Sequence, residues 1–199
     1  INDDWTVAIE SHAILRLLAD AFGRDDWRYL ATDGREGAEP GTRSALLPAA
    51  QLVAMRSDWS RTTQYLLIDP GVGHYYTGER EISRRSWWHN CPTLGAVPLP
   101  NDPTPEILHW QSEQDLDYAL GRIQIPPITI RRHVFFLDRC AWIVWDEFED
   151  LPPNSRIWEN FHFTTDRLRI SGDGRSVHTH LPEGANLSMH LFRKGWRLS

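Results

Sequence analysis

Asp69 stands at the end of an apolar run, Leu66-Leu67-Ile68, and is followed at once by Pro70-Gly71. Further along, after Tyr75-Tyr76 and Arg84-Arg85, the stretch Ser86-Trp87-Trp88 leads into His89-Asn90. A buried strand that stops at a Pro-Gly turn leaves its last carboxylate at the strand tip. The Trp-rich strand does the same for the His89 imidazole. One carboxylate and one imidazole so placed could hold a metal ion or a sugar acid. The plain alternative is that Asp69 caps its own turn and His89 bonds to backbone. His74 is a third candidate donor, although its spacing does not require it to join them.

The elements that must position these groups are mostly strands. Residues 4–22 form the one amphipathic helical pattern, with Ile9, Ile14, Leu17, Leu18, Ala21 and Phe22 on one stripe. Asp4 or Thr6 can cap its start, and Gly23 fits the left-handed stop. Residues 24–48 hold Gly34, Gly37, Pro40, Gly41 and Pro48 among charges and read as a connection. From residue 50 on, short runs rich in Val, Ile, Trp, Phe and Tyr alternate with turn residues. The predicted strands are 51–57, 64–69, 85–91, 106–111, 115–121, 128–137, 140–148, 157–163, 166–171, 175–180 and 186–192. Ser171-Gly172-Asp173-Gly174-Arg175 and Asp138-Arg139 read as hairpin turns. The expected fold is mainly β: an antiparallel β-sandwich of packed sheets behind one N-terminal helix.

The bulk composition narrows the function. The chain has 199 residues, 41% hydrophobic and 24% charged, with a net charge of −6. It has no long basic run, which argues against nucleic acid as a partner. An acidic ligand would need a local cluster of Arg, His or metal, because the overall field repels it. Ten tryptophans fit either strand packing or sugar stacking. Cys91 and Cys140 form no C-x-x-C and are expected to be unpaired and buried. No apolar run reaches transmembrane length, and no membrane partner is expected. The opening Ile1-Asn2-Asp3-Asp4 lacks a signal peptide and reads as the start of a fragment or a processed product.

In order along the chain, several motifs resemble the C-terminal β-sandwich domain of the heparinase II/III-like polysaccharide lyases, a group that includes alginate lyases. They are Met55-Arg56-Ser57-Asp58-Trp59, Leu66 to Gly71, then Tyr75-Tyr76 with Arg85 and His89-Asn90. Ile130 to Leu137, Trp142 to Asp146, and Trp158 to Phe163 complete the series. The resemblance covers most of residues 50–165. It implies that 1–23 is the terminal helix of an α/α-toroid, 24–49 a linker and 50–199 the β-sandwich domain.

The resemblance further implies β-elimination on a uronic acid-containing glycan such as heparin, heparan sulfate or alginate. The proton on C5 lies beside a carboxylate, and neutralising that carboxylate stabilises the enolate-like transition state. A Tyr or His removes the proton, and a Tyr protonates the departing O4. By position Tyr76 is the candidate catalytic phenol, since alternation turns only one of Tyr75 and Tyr76 to the cleft. Tyr75, Arg84 and Arg85 would bind substrate, the arginines through bidentate bonds to a uronate. Asp69 and His89 match two of the family's three zinc ligands. The third comes from an H-x-H-x-D segment before L-L-x-D-P-G. Here Trp59 to Tyr65 run straight into Leu66, and His178-Thr179-His180 lies too far downstream to match. Either the segment is deleted or the chain as given joins two stretches across a gap near Tyr65–Leu66.

An acidic polysaccharide is therefore the expected partner, with room for a homodimer, and a periplasmic or secreted location suits the family. The 199 residues alone are expected to show little or no lyase activity, because the toroid's Tyr and the H-x-H segment are not among them. Two other readings remain. A carbohydrate-binding or interface module would expose a row of aromatics, and a subunit-contact domain would expose a large apolar patch. His133 and His162 are expected to be core histidines bonded to backbone. Asp146 and Asp58 are expected to support turns or pair with arginine.

Overall fold

The computed structural model describes residues 5–60, 63–68, 75–77, 80–82, 92–94, 104–125, 128–159, 161, 163, 165–182 and 186–192. For 5–10, 75–77, 80–82, 92–94, 104, 105 and 125 it describes the backbone alone. The chain forms two compact units, residues 1–160 and 161–199.

The first unit opens with α1 (Trp5–Phe22). Gly23 ends it at φ +64°, and the Arg24 amide donates back to the Ala19 carbonyl at 2.9 Å. That left-handed stop is where the sequence placed it. The proposed cap at Asp4 or Thr6 lies outside the described side chains. The connection read over 24–48 instead begins with a second helix, α2 (Asp25–Ala31). Asp25 and Asp26 in its first turn suit the positive end of the helix. Buried Thr32 closes it: its hydroxyl donates to the Arg28 carbonyl at 2.8 Å and accepts from the Glu36 amide at 2.9 Å. Gly37, at φ +87°, lies so close that a Cβ would sit 2.2 Å from the Asp25 carbonyl oxygen. Ala19 is buried, yet Ile14, Leu17 and Phe22 of the predicted apolar stripe are exposed.

β1 (Ala45–Leu47), β2 (Leu52–Arg56) and β3 (Tyr65–Ile68) form an antiparallel sheet in the order β1-β2-β3. β1 was not foreseen, because three residues carry too little alternation to separate a strand from a connection. β3 runs through Tyr65 and Leu66 in register with Arg56 and Met55. The loop between β2 and β3 is closed by Ser57 N donating to the Gln64 carbonyl at 3.0 Å. Within that loop Asp58 accepts from the Ser60 amide at 2.7 Å, the turn role expected for it. Arg61 lies outside the described residues.

β4 (Tyr75–Thr77) and β5 (Arg80–Ile82) form a short hairpin. The predicted strand at 85–91 lies outside the described residues, and β6 (Pro92–Leu94) follows it. β7 (Thr104–Ser112), β8 (Leu116–Ile125), β9 (Ile128–Leu137) and β10 (Ala141–Glu149) make the main antiparallel sheet, ordered β10-β9-β8-β7. β11 (Ile157–Glu159) pairs with β6.

The two larger sheets face each other. Val53 and Met55 point inward from β2 against Ala119, Val134 and Phe136, all buried. Leu46, Leu66, Ile68, Ile107, Trp110 and Trp142 surround them. Alternation along β9 decides this, since 128, 130, 134 and 136 are its buried positions. Phe136 stacks on Trp142 with ring centroids 4.5 Å apart. The β7–β8 register shifts between Ile107 and His109, and the Gln51 side chain repairs it by accepting from the Ile107 amide at 2.9 Å. This is the β-sandwich with an N-terminal helix that the sequence pattern led to.

The second unit holds β12 (Leu168–Ile170), β13 (Ser176–Thr179) and β14 (Ser188–His190) in one antiparallel sheet. The hairpin read at 171–175 joins β12 to β13, with Gly174 at φ +64°.

Candidate functional site

The chain brings Asp69 directly after Ile68, the last residue of β3, which pairs with Val53. Asp69, Arg84, Arg85 and His89 themselves lie outside the described residues. Tyr75 and Tyr76 are neighbours on β4, in register with Ile82 and Glu81. No group of three or more His, Cys, Asp or Glu able to hold a metal occurs among the described residues. His178 bonds Ser188 Oγ at 2.8 Å and meets the His190 ring edge-on, 5.6 Å between centroids.

Three polar groups that sequence reading did not assemble lie on the main sheet. The first is on its outer face. Tyr118, His133, Phe135 and Trp145 stack across β8, β9 and β10, with neighbouring centroids 4.7–6.4 Å apart. His109 of β7 extends the row, 5.4 Å from Tyr118. Trp145 is 55% exposed. The Tyr118 hydroxyl bonds His133 Nδ1 at 2.9 Å, and His133 Nε2 lies 3.4 Å from Glu147 Oε2. Burial, and after it the Glu147 charge, raises the Tyr118 phenol above its ordinary range. His133 is thus not the backbone-bonded core histidine expected. The alternation of β9 turns it to the outer face, where the Tyr118 phenol bonds it and the Glu147 carboxylate lies nearby. His162 lies outside the described residues.

Beside this row, Glu106, Arg122, Arg131 and Glu149 run across all four strands, with Arg122 opposite Arg131. Each arginine is tied to its own glutamate, Arg122 to Glu106 and Arg131 to Glu149. The like charges are therefore neutralised pair by pair.

The second group is buried at one end of the inner face. Asp117 is 0% exposed and pairs with Arg139. Ser112 Oγ donates to its other oxygen at 2.6 Å. Arg139 also reaches the Gln114 carbonyl at 3.1 Å and Ser44 Oγ at 3.3 Å. It can do so because Asp138 and Arg139 take φ +48° and +55°, which turns the arginine back over β8. The turn was legible; its role in seating a buried ion pair was not. Cys140 ends the same loop and is free and exposed, not buried as expected. Cys91 lies outside the described residues.

The third group joins β9, β10 and β11. Arg132 Nε and Nη2 donate to Asp146 Oδ1 and Oδ2 at 2.7 and 2.6 Å, and Nη2 also lies 3.3 Å from Glu159 Oε2. The arginine partner expected for Asp146 is thus present. Glu159 entered only as part of a motif, because a lone Glu in a short strand gives no sign of what it meets.

No protein-family model matches the chain. It is 24% identical over 202 residues to a heparin-sulfate lyase of Bacteroides stercoris, an alignment covering 83% of this chain and 30% of that protein. The alignment is longer than the part of this chain it covers, so the relative carries residues with no counterpart here. Among solved structures, the heparan sulfate lyase HepC from Pedobacter heparinus superposes with a TM-score of 0.76 at 17% identity. A heparinase III gene product superposes with a TM-score of 0.80 at 20% identity. Each covers 94% of this chain, which spans 35% of theirs. The resemblance to the heparinase II/III-like lyases holds in sequence and in fold. The chain spans about a third of the length of the relatives it matches.

Proposed function

We propose that this chain is part of a polysaccharide lyase that cleaves an acidic, uronic acid-containing glycan by β-elimination, with heparin or heparan sulfate ahead of alginate. The observation that carries the reading is the relation to a heparin-sulfate lyase across 83% of the chain. The fold likeness to two further lyases of that substrate class supports it.

In this reading Tyr76 meets the sugar ring and moves a proton, and Tyr75, Arg84 and Arg85 bind the substrate. The arginines neutralise the uronate carboxylate, which makes the neighbouring C5 proton removable. Zinc at Asp69 and His89 belongs to the same reading. Those two donors fall short of the three protein ligands of an open zinc site, and the described residues supply no further cluster. The exposed apolar stripe of α1 suits a helix that packs on others, as the terminal helix of an α/α-toroid would. A periplasmic or secreted location goes with the same reading.

The test is the appearance of unsaturated uronate, read by its ultraviolet absorbance, when the intact protein meets heparan sulfate. Tyr76→Phe is expected to lower kcat by about 10²-fold or more. Arg85→Ala is expected to raise KM more than it lowers kcat. Unchanged kinetics in both variants would remove these residues from the site.

A carbohydrate-binding module is the second reading, favoured by the stacked row that ends in exposed Trp145. The neighbouring arginines already hold glutamates, so such a face suits a neutral sugar better than a polyanion. Trp145→Ala would then abolish glycan binding and leave elimination intact.

A further inference from the structure

Among the described residues, the group around Arg132 holds one cation and two acids. Asp146 is 7% exposed at its side chain, Glu159 14% and Arg132 20%. Asp146 takes both short guanidinium bonds, and Glu159 receives the longer one. Two ionised carboxylates beside one guanidinium would leave a buried negative charge without a partner. Asp146 Oδ2 and Glu159 Oε2 converge on the same guanidinium nitrogen, Nη2, at 2.6 and 3.3 Å. One proton on the pair removes that excess charge. The better-paired Asp146 keeps the charge, and the proton falls to Glu159.

We propose that Asp146 and Glu159 share one proton beside Arg132, and that this proton fastens β11, and β6 with it, to the four-stranded sheet. Glu159 is the last residue of β11 and stands opposite Pro92 of β6, with Trp158 opposite Thr93 and Ile157 opposite Leu94. His89-Asn90 lies just upstream of that strand. The proton therefore sits on the strand paired with the element that follows the candidate imidazole. Its bearing on elimination rests on the lyase reading; the shared proton does not.

The charge balance agrees. Burial first, then the Asp146 charge, pushes the Glu159 carboxyl from 4.5 up to about 8, against the pull of Arg132. Among the described residues, Arg132 of β9 and Asp146 of β10 are the charged groups facing Glu159. Pro92, Thr93 and Leu94 on β6 do not titrate. A carboxyl whose value is raised by folding contributes stability that is complete below its unfolded value, 4.5, and is lost as pH rises through its folded value, about 8.

The experiment measures unfolding of the intact protein in denaturant across that window, for the wild type and for Glu159→Gln. One extra proton in the folded state makes the wild-type unfolding constant rise about tenfold per pH unit. Glu159→Gln keeps a neutral hydrogen-bonding group and should remove that slope. Equal slopes in the two proteins would overturn the proposal. If the variant fails to fold, isotope-edited infrared on the wild type replaces it. A protonated glutamate carbonyl band at neutral pH, lost in the alkaline range, supports the shared proton, and its absence at neutral pH refutes it. Amide exchange at Thr93 and Leu94, corrected for intrinsic rate, must accelerate with the same midpoint; exchange that ignores the titration refutes the link to β6. None of these readouts needs substrate, so an inactive lyase and an unprotonated Glu159 remain distinct failures.

Discussion

Two buried ionic groups lie on the inner face of one sheet, and among the described residues they differ by a single carboxyl. Near the β9–β10 turn, Asp117 meets Arg139, and Ser112 satisfies the second carboxylate oxygen. Further along, Arg132 meets Asp146 and Glu159 together. The first group balances without a proton and is a fixed lock, its arginine also tied to the Glu113 and Gln114 carbonyls. The second needs a proton to balance, and so responds to pH. Charge count within a buried cluster, more than its distances, separates a structural tie from a titrating one.

The comparison can be broken at three depths. Asp117→Ala strands the Arg139 guanidinium beneath the sheet edge and should cost about 3–5 kcal/mol, nearly constant from neutral to mildly alkaline pH. Denaturant midpoints measure it, and a loss that varied steeply with pH would make the first group as titratable as the second. Asp146→Asn comes next. It leaves one carboxyl against one cation, so Glu159 should ionise at a lower pH and the alkaline loss should fade. The cost below neutrality should be about 1–3 kcal/mol, for lost charged hydrogen bonds. Persistence of the alkaline slope in that variant would place the proton elsewhere. The smallest effect belongs to the outer face, where Arg122→Ala removes a partly exposed pair with Glu106. Under about 1 kcal/mol is expected, shrinking further with added salt.

The long strands of the main sheet were legible because nine or ten residues alternate without interruption, as in Ile128–Leu137. The hairpins at 138–139 and 171–175 were legible from turn chemistry. β1 and α2 were not, since three and seven residues carry too little periodicity among glycines and charges. The site divides in the same way. Asp69, His89, Tyr76 and the arginines could be named as candidates because a strand end and an ordered set of motifs mark them. Glu159 and Arg139 could not be assigned their roles, because each acquires its role from a partner on another strand. His133 was misread for a related reason: its face depends on the register of β9, which one residue in isolation does not reveal.

Elimination is the defining chemistry of the proposed lyase, and its unsaturated product reports it. Heparan sulfate would be incubated with the intact protein, with its His89→Ala variant, and with the 199 residues alone. The intact protein is expected to generate unsaturated uronate ends, His89→Ala far fewer, and the 199 residues alone few or none. Tight glycan binding by the intact protein without any unsaturated product would contradict it and leave the binding-module reading in its place.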